Sequence, residues 1–136
     1  MAACCCNNRW SCTTLAVVLS AIVGVVAAFL QITAAVTVTA VALWVTFGIA
    51  VGYPLVILLG AALAKREEAP ACCCAALVTQ LIASIGTVLF STILLAVTFP
   101  ATSVLGAIVV GLWVFSFALA VSSAACVVRC YIGCEE

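Results

Sequence analysis

Cysteine is the residue of this chain whose type and spacing could do chemistry, and its ten copies come in blocks. Cys4, Cys5 and Cys6 stand together in "AACCCNN", with Cys12 close behind; Cys72, Cys73 and Cys74 stand together in "APACCCAALV". Cys126, Cys130 and Cys134 then recur at every fourth position near the C-terminus. Thiols offer disulfides, redox catalysis, metal ligation or S-acylation, and the spacing weighs these differently. Consecutive Cα atoms lie about 3.8 Å apart, short of the roughly 4.4–6.8 Å that a disulfide spans. A reducing cytosol opposes disulfides as well, so the thiols are expected to be free of them. No C-x-x-C pair is present, which argues against thiol redox catalysis. Cys126, Cys130 and Cys134 share one face if the last helix continues, so they are the candidate ligands for Zn²⁺ or Cu(I), with the triplets as further thiolates. Juxtamembrane cysteines are the usual acceptors of fatty acid, and Cys4, Cys5, Cys6, Cys72, Cys73 and Cys74 are the acylation candidates.

The elements that hold these thiols must be membrane helices. The chain of 136 residues is 69% hydrophobic and 6% charged, against about 25% charged in a soluble domain. Formal charge is zero and histidine is absent, which removes His-ligated haem, histidine acid–base chemistry and nucleic-acid binding. The first apolar run is too long for a secretory signal, and no cleavage pattern follows it. A bilayer core needs about 20 apolar residues in helix. Four uncharged stretches meet that length: residues 12–32, 36–64, 75–97 and 102–128. The expected fold is an all-α integral membrane protein, an antiparallel four-helix transmembrane bundle forming a single domain over 1–136, with both termini on one side.

Every charge falls outside the spans: Arg9, then Lys65, Arg66, Glu67 and Glu68, then Arg129, Glu135 and Glu136. All four basic residues share the side of the termini, which the positive-inside rule assigns to the cytoplasm or its equivalent. The cysteines follow the same partition and form a thiol-rich rim there. The other side carries two short uncharged turns, and "VTFPAT" is expected to restart the last helix with Thr102 or Ser103 as N-cap. Pro54 is expected to bend the second span.

Lipid tails are as apolar as leucine, so helices associate through close packing and hydrogen bonds. Small residues repeat every fourth position at Ala16, Ser20, Gly24 and Ala28; at Thr79, Ala83, Thr87 and Ser91; and at Ser103, Ala107 and Gly111. Gly48 and Gly52 form a GxxxG pair in "GIAVG" and are the candidate packing glycines of the second span. Gln80 is expected to hydrogen-bond a neighbouring Ser or Thr. Trp44 and Trp113 stand in matching tetrapeptides, "ALWV" and "GLWV", where interface anchoring and ordinary packing are both open. No ionisable side chain lies within a span, whereas ion pumps and proton-coupled carriers usually keep one.

The layout resembles that of tetraspan proteolipids such as the myelin proteolipid and MARVEL-type proteins, which implies cytoplasmic termini and acylated cysteines. The outer cysteine loop of tetraspanins and the W–C–C signature of claudins are missing, so no functional residue is carried over. The functional expectation is a non-enzymatic tetraspan protein that organises lipid and protein assemblies. It has no cofactor beyond covalent fatty acid, and its partners are membrane lipids and either further copies of itself or a larger membrane complex. The alternatives are an accessory subunit of such a complex, bioenergetic ones included, and a thiol-based carrier of a soft metal ion.

Overall fold

The computed structural model describes residues 9–35, 37–63, 71–100 and 102–132. Among them the only regular elements are four helices: α1 (Arg9–Ile32), α2 (Ala40–Leu63), α3 (Ala71–Ala96) and α4 (Val104–Ile132). Each is long and apolar enough to cross a membrane, over Cys12–Ile32, Ala40–Ile57, Ala76–Ala96 and Val104–Val128. The chain is therefore read as a multi-pass membrane protein.

Local chemistry sets the helix ends. α1 stops where Ala34 takes a positive φ of 53°, a conformation that glycine usually supplies. The Ala35 N–H then donates to the Leu30 carbonyl at 3.0 Å and the Ala34 N–H to that of Gln31 at 3.1 Å, closing the last turn in a Schellman motif. Thr39 caps α2, its Oγ1 accepting from the Ala42 N–H at 3.3 Å. α2 begins at Ala40, four residues later than the hydropathy suggests, and residues 37–39 before it belong to no regular element. Ser103 caps α4 by accepting from the Gly106 N–H at 3.3 Å, as its position after Pro100 predicts. α2 runs through Pro54 without a break.

Helices adjacent in sequence are not all adjacent in space. α4 lies between α1 and α3, and α2 packs chiefly on α3 with a thin contact to α4. The spatial order is α1, α4, α3, α2, an arc in place of a closed ring. Partners along the α1–α4 seam run from Cys12 with Cys126 to Gly24 and Ala28 with Gly111. Along α3–α4 they run from Gln80 with Ser123 through Gly86 with Ser116 to Ser91 with Trp113.

Small residues make the α1–α4 approach possible. A Cβ added at Gly24 would lie 2.9 Å from the Gly111 carbonyl oxygen, and one at Gly111 would lie 2.9 Å from the Ala28 Cβ. Neither backbone could come so close with a larger side chain. The stripe Ala16, Ser20 and Gly24 is correspondingly buried. Large apolar side chains do the opposite: Leu15, Val25, Phe29, Val56, Ile82 and Leu105 all point outward. Burial here is inverted relative to a soluble protein, with five serines, Gln80 and Thr87 inside and many large aliphatic side chains outside. That inversion suits a lipid solvent.

Candidate functional site

The polar interior of α3 and α4 is where chemistry could be held. Gln80, Ser84, Thr87, Ser91, Ser116 and Ser123 are its buried polar residues, and Ser20 is buried on α1. Some of these hydroxyls serve their own helix: Ser20 donates to the Ala16 carbonyl at 2.6 Å and Thr87 to that of Ala83 at 2.9 Å. Others cross between helices. The Trp113 indole N–H donates to Ser91 Oγ at 3.0 Å, which lets a large aromatic lie inside beside Leu43 and Val110. Ser123 Oγ donates to Gln80 Oε1 and also lies 2.7 Å from the Leu119 carbonyl. A hydroxyl has one proton, so the Gln80 amide turned by 180° would satisfy both contacts, its NH₂ donating to Oγ and Oγ to Leu119.

A cleft of about 180 Å³ lies between α2, α3 and α4, beside the Gln80–Ser123 contact. Ala50 and Tyr53 of α2, Gln80 and Ser84 of α3, and Phe117 and Ala120 of α4 line it. Ile49 and Val121, both exposed, form its rim, so it opens sideways out of the helix layer. The cleft follows from the arc: α2 leans on α3 and leaves a gap against α4. Ser84 Oγ is buried there without a hydrogen-bond partner.

A disulfide joins Cys12 in the first turn of α1 to Cys126 in the last turns of α4, with Cα atoms 6.4 Å apart. This corrects the expectation that the thiols are free of disulfides. That elimination weighed neighbours in sequence, whereas α1–α4 packing joins two cysteines 114 residues apart. The bond also takes Cys126 out of the candidate metal trio with Cys130 and Cys134, because a ligand must be a thiolate. Among the described residues no group of three metal-ligating side chains comes together.

The remaining candidates lie as follows. Cys4, Cys5, Cys6 and Cys134 fall outside the described residues, as do the side chains of Cys72, Cys73, Cys74 and Cys130, whose backbones belong to α3 and α4. Gly48 and Gly52 are in α2, where an added Cβ would meet nothing within 4 Å. Within one chain the close packing sits at Gly24 and Gly111 instead. Gln80 has the serine partner expected of it. Hydropathy gave no sign of the cleft; the signal that could have found it was the spacing of Gln80 and Ser84, one turn apart on α3.

No known family, curated protein or solved structure matches the chain.

Proposed function

We propose that this chain is a non-enzymatic tetraspan membrane protein that organises lipids and proteins around it, built as an antiparallel four-helix assembly with both termini on the cytoplasmic side. The observation that carries this reading is the inverted burial. Polar side chains turn into the α3–α4 seam, and a continuous apolar surface faces out from all four helices. Such a surface is suited to contacts with lipid and with other spans. The opposed registers of α1 with α4 and α3 with α4 support the antiparallel arrangement. The confinement of Arg9, Lys65, Arg66 and Arg129 to one end supports the sidedness. The Cys12–Cys126 bond is compatible with that side, since exchange needs a thiolate to reach the sulfur and both cysteines lie within membrane-crossing segments.

Fatty acid on several of Cys4, Cys5, Cys6, Cys72, Cys73 and Cys74 completes the reading. Four spans already fix the protein in the membrane, so acyl chains would act on thickness matching, sorting and partner contacts. Intact mass spectrometry of native protein is expected to show acyl additions removed by neutral hydroxylamine. An unmodified mass would sink acylation, and stoichiometric zinc or copper in the same sample would favour the carrier reading instead. Impermeant thiol labelling after hydroxylamine treatment tests the sidedness: Cys4–Cys6 and Cys72–Cys74 are then expected to react from the same face of sealed vesicles.

One observation favours the second reading, a subunit of a larger assembly. The GxxxG face of α2 is uncovered within the chain at Gly48 and Gly52, which leaves it free for a helix of another copy or partner. Mass measurement of the complex released from native membranes in mild detergent separates a lone protomer from an oligomer or a mixed complex.

A further inference from the structure

The α2–α3–α4 cleft holds an unexplained polar group. Ser84 is 5% exposed, and its Oγ has no hydrogen-bond partner. Leaving a hydroxyl unpaired in apolar surroundings costs about 1–3 kcal/mol. Other hydroxyls of the molecule avoid that cost by donating to a carbonyl of their own helix, as Ser20 of α1 and Thr46 of α2 do. Thr87, on the same helix as Ser84, does so as well. Ser84 instead lines the cleft.

We propose that the cleft binds an uncharged lipid through a carbonyl oxygen that accepts a hydrogen bond from Ser84 Oγ. Three features select this class. None of the lining residues is charged, so an ionic headgroup would enter without a counter-charge. Ser84 is eight residues into the span that begins at Ala76, about 12 Å along the helix axis. A ligand oxygen at that depth needs carbon on both sides, as in a ketone, a quinone or an ester, because a terminal polar head is drawn back to the interface. Lastly, the cleft combines apolar walls with a few polar groups, the usual make-up of a small-molecule site. Its volume takes part of such a lipid, and the rest extends past Ile49 and Val121 into the bilayer.

The test uses the full-length protein in phosphatidylcholine vesicles with a long-chain ketone carrying a diazirine and an alkyne. Photolabelling is expected to map to residues 49–53, 80–84 or 117–124. An unlabelled carbonyl lipid is expected to displace the probe at least about fivefold better than an alkane of equal length, the ratio that one hydrogen bond of ordinary net strength provides. A prenylated quinone and a wax ester serve as separate competitors, and displacement by either supports the site and names the source of the carbonyl. S84A is expected to reduce labelling by a similar factor. Equal displacement by the alkane overturns the proposal, and so does labelling spread evenly over the lipid-facing surface. Labelling of S84A at the wild-type level overturns it too, and indicates a trapped water only. The competition arm uses wild-type protein, so it decides the question even if the variant folds poorly.

Discussion

In α2 the stretch Ala42–Val45 reads ALWV, and in α4 the stretch Gly111–Val114 reads GLWV. Leu43 of the first is 4% exposed and Trp44 61%. In the second the order reverses, with Leu112 42% exposed and Trp113 8%. Leu43 and Trp113 meet in the same cluster. Successive helix residues are about 100° apart, so the two helices present the same tetrapeptide with a one-residue rotation. The cause lies in how many neighbours each helix has. α4 is covered on two sides, and Gly111 and Trp113, about 200° apart around the helix, serve one side each: Gly111 admits α1, and Trp113 reaches Ser91 on α3. α2 is covered mainly by α3, so Leu43 turns inward and Trp44 stays outside, with Phe47 of its own helix beside its ring. Local sequence alone does not orient a helix in lipid; its contacts do.

The sharpest way to break this comparison is to truncate both tryptophans. Trp113→Ala is expected to lower the unfolding free energy in mixed micelles by about 3–5 kcal/mol, through the cavity and the lost partner of Ser91. Trp44→Ala is expected to change it by less than about 0.5 kcal/mol. Similar losses at the two sites, measured by denaturing-detergent titration, would put Trp44 against a partner and rule out its free exposure.

Glycines give a smaller contrast. Gly111→Leu is expected to cost about 1–3 kcal/mol by overpacking against Gly24 and Ala28, and to leave Cys12 and Cys126 open to alkylation in the unreduced protein. Gly48→Leu is expected to leave the monomer's stability and the disulfide intact. Should the alkylation pattern of Gly111→Leu match wild type, the close α1–α4 approach described above is wrong.

The smallest effect separates a hydroxyl that crosses between helices from one that does not. Ser91→Ala removes the acceptor of the Trp113 N–H and is expected to cost about 0.6 kcal/mol, the average for hydrogen bonds between membrane helices, and at most about 1.7 kcal/mol. Thr46 donates to the Ala42 carbonyl of its own helix at 2.9 Å, and Thr46→Val is expected to be nearly neutral. A cost for Thr46→Val equal to that of Ser91→Ala, in the same titration, would remove the distinction.

Much of the fold was legible in the sequence because hydropathy registers the bilayer directly. All four spans were, and so was the cap at Ser103. The small-residue stripes of α1 and α3 also pointed correctly, since Ala16, Ser20 and Gly24, and Ala83, Thr87 and Ser91, are buried. The order of packing was not legible. In a soluble protein an apolar stripe marks the inner face, but here apolar residues cover every face and the pattern carries no direction. The GxxxG spacing of α2 therefore looked as good a seam as Gly24 and Gly111. Pairing of Cys12 with Cys126 depends on α1 lying against α4, a fact of tertiary order that spacing between neighbours does not contain. The cleft is invisible for the same reason, since it exists only because α2 leans on α3.

The α1–α4 seam also has a consequence in time. Of the four described helices α1 is made before the others and packs on α4, made after them, with 114 residues separating Cys12 from Cys126. At about 5–20 residues per second of synthesis, roughly 6–23 s pass between the two cysteines. Through that interval α1 must reside in the bilayer without the partner it is shaped to meet. Part of its chemistry suits the wait: the Ser20 hydroxyl is already satisfied by the Ala16 carbonyl, so it presents no open donor to lipid. α3, by contrast, carries Gln80 and Ser91, whose partners are on α4 and follow within a few tens of residues. The disulfide can close only on a chain whose synthesis has reached α4.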